Sequence, residues 1–135
     1  MRVLSDSGDY VSVEAADSSG DDILAIVDVR TRGFTGRIDT WILRAAWVAF
    51  CEQLSRLEAD RQGVATVESM SPQELRLTIR SIDRAGHMAI EGVVGYRGTF
   101  GEVLLSFSPM EFDPSILPQL LREARAIALE RARAG

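Results

Sequence analysis

Neither lysine nor asparagine occurs anywhere in the 135 residues, so all fifteen basic side chains are arginine. Both missing residues use AT-rich codons, which points to a GC-rich, bacterial genome. Arginine offers carboxylates a bidentate fork that lysine lacks, so ion pairs should be well formed. Cysteine is nearly absent: Cys51 stands alone and can close no internal disulfide. Histidine is equally scarce, and His87 with Glu91 falls short of the four ligands a closed zinc site needs. Uninterrupted apolar stretches such as Ile23 to Val27 are far below the roughly 20 residues of a membrane span. The opening "MRVLSDSGDY" has neither the hydrophobic region nor the small-residue cleavage site of a secretory signal. The expectation is a cytoplasmic protein without a membrane segment, folded as one domain over residues 1–135.

What is present is an ordinary globular balance of 46% hydrophobic and 26% charged residues, with an uneven distribution of charge. Residues 1–28 carry Asp6, Asp9, Glu14, Asp17, Asp21, Asp22 and Asp28 against Arg2 alone, while the remaining acids and arginines nearly cancel. The net charge of −5 therefore belongs almost wholly to the N-terminal segment. Such a segment repels nucleic acid and steers a basic partner. No basic aromatic platform for nucleic acid is visible either. Asp17, Asp21, Asp22 and Asp28 are the candidate partner-binding residues; acidic turns and exposed strand faces are the ordinary alternative.

Alternation in "YVSVEA" puts Val11, Val13 and Ala15 on one face of a strand, and "ILAIVDVR" reads as a second, more central one. "GFTGRID" reads as a bend into a short third strand. In "TWILRAAWVAFCEQLSRLEADRQG", Trp47, Phe50, Cys51, Leu54 and Leu57 fall at helical spacing, with Asp39 or Thr40 as start cap and Gly63 as end cap. "VATVESM" leads into a capped turn at Ser71, Pro72 and Glu74, and three further strands follow. Asp113 and Pro114 then open a last helix, its main body starting near Pro118 with Leu117, Leu120, Leu121, Ala124 and Ala128 as the apolar stripe. The pattern predicts an α+β fold: an antiparallel sheet of about six to seven strands with two helices packed on one face, in the order β-β-β-α-β-β-β-α.

The one place that resembles chemistry is "SIDRAGHMAIEGVVG". With Asp83 to Gly86 as a tight turn, Ile82 faces His87, Thr78 faces Glu91 and Leu75 faces Val94. Leu75, Leu77, Ile79, Met88, Ile90 and Val94 then share one face, and Arg76, Thr78, Arg80, His87 and Glu91 the other. A slip of one residue would bury the charges. No serine or cysteine is tied to His87 by a motif, so scaffolding at a turn outweighs catalysis.

Other candidates read structurally. Gly92, Gly95, Gly98 and Gly101 lie between strands and do not open a helix, so they form no phosphate loop; a bulge at Gly92 near a passing helix fits better. Cys51 is a small buried thiol, and Trp41 and Trp47 are core anchors. No catalytic residue, metal ligand or cofactor motif emerges. A protein-binding module is one hypothesis; a small-ligand site or enzyme between the sheet and the helices, near Gly92 to Gly101, is the alternative.

Gly33, Phe34, Gly36 and Trp41, then Phe50, Leu54 and Leu57, then Ser69, Pro72, Leu75, Leu77, Asp83, Gly86, His87, Gly92 and Phe107 form a pattern over residues 33–108. It resembles the WapI-like immunity proteins and related small bacterial proteins. These are mostly turn and core positions, so the resemblance implies a fold and carries over no catalytic residue. It implies a non-catalytic role: binding and neutralising a cognate toxin domain, often a nuclease. A basic toxin domain is the partner that the acidic segment would suit.

Overall fold

Alternating apolar and polar positions shape four strands in the first 43 residues, β1 (Arg2–Leu4), β2 (Tyr10–Ser19), β3 (Asp22–Thr31) and β4 (Phe34–Leu43). Helix α1 (Arg44–Asp60) follows, then β5 (Val64–Glu68), β6 (Leu75–Ser81), β7 (Met88–Gly98) and β8 (Gly101–Phe112). A 3-10 turn (Pro114–Ile116) leads into α2 (Leu117–Leu129). This computed structural model describes residues 1–71 and 73–130.

The fold is α+β with two helices, but the expected single sheet of six to seven strands is replaced by two four-stranded antiparallel sheets, β1-β2-β3-β4 and β5-β6-β7-β8. The expected strand–helix order is corrected by one added strand in each half, β1 and β5. The partition has a physical cause. β4 runs into α1 without a loop, and α1 carries the chain to β5 and away from β4's free edge. That edge is met by the segment before β6, where Met70 N–H donates to Trp41 O at 2.9 Å.

The inner faces of both sheets and the buried sides of both helices share one apolar cluster, from Val11, Val13, Val27 and Ile42 to Leu77, Ile79, Ile90 and Phe107. The helices therefore close a core between two sheets and do not roof one face of a single sheet. Gly36 of β4 brings the two together: a Cβ there would lie 3.1 Å from Leu105 and 3.4 Å from Val94.

The first helix starts later than the residue pattern suggests. Trp41, Ile42 and Leu43 pair with Leu24, Ile23 and Asp22 in β3. The Arg44 N–H goes to Asp21 O at 2.6 Å, in place of a cap from Asp39 or Thr40. At the far end, Arg61 takes the left-handed conformation (φ 59°) and donates to Leu57 O, the role expected of Gly63. The Gln53 side chain accepts the Thr66 N–H at 2.8 Å, which protects the outer edge of β5. Trp47 is fully buried, 5.1 Å from the Phe50 ring centre, and its indole N–H reaches Ala124 O of α2 at 2.8 Å. Asp113 accepts the Ser115 N–H as expected of a cap, and α2 follows from Leu117. Of the turn expected at Ser71 to Glu74, Pro72 lies outside the described residues; Glu74 N–H donates to Ser71 O at 3.4 Å.

The hairpin of β6 and β7 has the register read from the sequence, from Leu75 opposite Val94 to Ser81 opposite Met88, closed by Ile82 N–H to His87 O at 2.9 Å. The bulge expected at Gly92 is present against β8. Its close neighbour is not a helix, however. A Cβ on Gly92 would stand 2.0 Å from the Arg76 carbonyl oxygen of β6.

Candidate functional site

Alternation gives the N-terminal sheet one face for the core and one for solvent, and among the described residues no helix covers the second. A bulge between Ala15 and Asp17 resets the phase of β2, so Ser18 turns inward beside Ile23 while Asp17 points outward opposite Leu24. Across β2, β3 and β4 the outward rows are Ser12–Asp28–Arg37, Glu14–Ile26–Asp39 and Asp17–Leu24–Trp41, with Asp22 beside Leu43. Neighbouring strands are about 4.8 Å apart and alternate residues about 7 Å, so these side chains form one continuous surface. Its centre is apolar: Leu24, Ile26, Trp41 and Leu43, of which Trp41 is 39% and Leu43 46% exposed. Around it stand Glu14, Asp17, Asp22 and Asp39, and among the described residues none of these four takes part in an ion pair.

The four candidate acids divide. Asp17 and Asp22 border the apolar centre. Asp21 lies in the exposed β2–β3 turn, where its backbone carbonyl holds the start of α1. Asp28 sits farther along the face and is partly compensated by Arg37 at 3.8 Å. Beyond it Arg2 stacks on Tyr10, 4.5 Å from the ring centre, so that end is basic. Glu14, Asp39, Trp41 and Leu43 were not among the candidates. Trp41 is thereby corrected from core anchor to surface residue. Its parity with Asp39 and Leu43 in "DTWIL" is the signal that locates it.

At the β6–β7 turn, Asp83 Oδ1 accepts the N–H groups of Ala85 at 2.9 Å and His87 at 3.2 Å, and Oδ2 meets His87 Nδ1 at 2.5 Å. Both side chains are exposed. The hydrogen bond to Asp83, followed by the Asp83 charge, raises the His87 pKa above its ordinary 6.5; the bond to His87 lowers that of Asp83 below 3.8. Charged His87 is favoured by folding, so its contribution is complete below pH 6.5 and fades as pH rises through the elevated value. The Asp83 contribution is complete above pH 3.8 and fades as pH falls through the depressed one. An Asp83→Asn variant is expected to return the imidazole midpoint towards 6.5 in a proton NMR titration. An unchanged midpoint would show that the contact does not set it.

The remaining chemistry-bearing residues are set structurally. Burial pushes the Cys51 thiol up to about 11, so little thiolate exists at neutral pH. Arg80 pairs with Glu91 at 2.6 Å across β6 and β7. Among the described residues, no three His, Cys, Asp or Glu side chains are grouped to hold a metal ion, and no helix is long and apolar enough to cross a membrane.

The family model described as the immunity protein WapI-like family matches residues 2–130. The chain belongs to that family. The match takes in the N-terminal strands as well as the region 33–108 that carries the resemblance in sequence. WapI-like membership supports an immunity-protein role in general, and such proteins are generally non-catalytic. No curated protein and no solved structure matches the chain.

Proposed function

We propose that this WapI-like chain acts as one domain that binds and neutralises a basic toxin domain, such as a nuclease, through the outer face of its N-terminal sheet. The observation that carries the reading is the apolar centre of Leu24, Ile26, Trp41 and Leu43, bordered by Glu14, Asp17, Asp22 and Asp39, none of which forms an ion pair among the described residues. A nuclease is basic where it grips phosphate, so an acidic surface can approach quickly and cover it. Asp17, Asp21 and Asp22 supply long-range attraction, while a half-exposed tryptophan is the type of residue that anchors a desolvated interface centre. Asp28, paired with Arg37, contributes less.

The probe is a purified basic toxin domain, taken from the C-terminus of a large secreted protein wherever the reading frame next to this chain encodes one. Reversing Asp17, Asp21 and Asp22 together to arginine is expected to slow association by about tenfold and flatten its dependence on salt. Trp41→Ala is expected to leave association nearly unchanged and speed dissociation. Surface plasmon resonance at two ionic strengths separates the two effects; wild-type kinetics in the triple variant would eliminate this face as the binding surface.

A further inference from the structure

The N-terminal sheet ends in the three-residue β1 and in β4, whose edge is met by Met70, and β5 is shielded by Gln53. β8 is different. It is 12 residues long and, among the described residues, pairs only with β7. Among the described residues the single backbone bond it makes outside its own sheet is from Asp6 N–H to Glu111 O, at its last turn.

Which groups are left open follows from the ladder. Gly95 N–H donates away from β8, to Glu74 O at 2.9 Å, and Gly95 stands opposite Leu104. Opposed residues in an antiparallel pair alternate between bonded and non-bonded, so Leu104 is non-bonded to β7 and its N–H and C=O point outward. Ser106, opposite Val93, repeats the arrangement two residues on. A groove of about 890 Å³ runs beside this edge, from Leu104 to Glu111 on one wall and with Asp6, Asp9, Arg32 and Phe34 on the other. Phe34 is 68% and Leu104 43% exposed. The ionisable groups of the groove are three carboxylates, Asp6, Asp9 and Glu111, against Arg32 alone.

A long edge without lysine, without inward charge and without a covering element is the kind that accepts another strand. We propose that the edge of β8 at Leu104 and Ser106 takes an extended, basic segment of a partner protein as an added strand. Main-chain bonds to Leu104 and Ser106 hold the segment, alternate side chains meet Phe34 and Leu104, and its cations face Asp6, Asp9 and Glu111. Pro109, which has no N–H to offer, ends the ladder on one side, and the Gly98–Gly101 turn ends it on the other. The site is separate from the outer face of the N-terminal sheet and stands or falls without it.

The test uses the whole chain and an octapeptide alternating valine with arginine, followed by amide hydrogen exchange in NMR. Leu104 and Ser106 are expected to exchange rapidly in the free protein. With peptide in large excess, their exchange should slow by about tenfold or more, while Val103 and Leu105 change little. A peptide with glutamate in place of arginine should give no protection. Ser106→Pro removes the outward donor without touching a β7 bond and should abolish protection at Leu104 while the melting temperature is kept. No slowing with the arginine peptide overturns the proposal. Protection confined to the outer face of the N-terminal sheet does the same. So does protection in the free protein that grows with its concentration, because a second copy would then hold the edge.

Discussion

Gly92→Ala is expected to be among the most destabilising single-methyl changes in the protein, and measurably worse than the same change at Gly33. The added Cβ would stand 2.0 Å from the Arg76 carbonyl oxygen, 3.1 Å from the Arg76 carbonyl carbon and 3.2 Å from the Leu77 Cα. All three are backbone atoms of a central strand, and none can swing aside as a side-chain tip would. Relief requires β6 and β7 to separate where Leu77 faces Gly92, or the bulge against β8 to move. Overpacking of this sort costs about 3 kcal/mol or more. At Gly33, by contrast, a Cβ meets nothing within 4 Å, and the penalty comes from a φ of 85°, about 1 kcal/mol. Urea unfolding of the two variants side by side is the measurement. Equal midpoints would mean that the close approach at Gly92 is not a constraint on the fold.

Trp47→Ala is expected to be as damaging for the opposite reason, a void. Trp47 is fully buried where α1 meets α2, and its indole N–H is matched to the Ala124 carbonyl. Removing a buried aromatic ring costs about 3–5 kcal/mol, a large share of the 5–15 kcal/mol that holds a typical domain together. Trp47→Phe keeps most of the apolar volume and removes the donor, so it should lose closer to 1–2 kcal/mol. Thermal unfolding followed by circular dichroism should rank wild type, Phe and Ala in that order with wide spacing. An Ala variant within about 1 kcal/mol of wild type would show that α2 is not fastened through this side chain.

These two residues also mark how far the sequence could be read. The β6–β7 hairpin is legible to the residue because two constraints agree. Asp83 and Gly86 define a four-residue turn, and outward from it the apolar positions of both strands keep the same parity. Period-two patterns tell which side of a strand is buried, but they do not say to which sheet the strand belongs. The break between β4 and β5 is therefore silent, and a two-sheet core reads as one longer sheet. β1 is three residues long and β5 five, too short to show a period. Trp41, Ile42 and Leu43 abut the apolar stretch that begins α1 and share its character, so local pattern extends the helix backward over them. Pairing with Leu24, Ile23 and Asp22 overrides that preference.

The candidate surface was legible in its charge and not in its centre. Counting acids is enough to find Asp17, Asp21, Asp22 and Asp28 in the N-terminal segment. Counting cannot show that the Ala15–Asp17 bulge keeps Asp17 outward, nor that Asp28 has Arg37 for a neighbour. The apolar patch they border is contributed by two strands. It becomes visible only when the β3–β4 register sets Trp41 beside Leu24 and Leu43 beside Asp22.

Every strand in the molecule pairs with the strand before or after it in the chain, and the two sheets are divided by α1. Emerging from a ribosome, residues 1–43 can complete their strand pairings before the second half has left the exit tunnel. They cannot yet hide Val11, Val13, Val27 or Ile42, whose cover is translated later. The nascent first half is thus a finished sheet with one oily side bare, and the interval until α1 and β5–β8 arrive is when the polypeptide is most exposed to self-association.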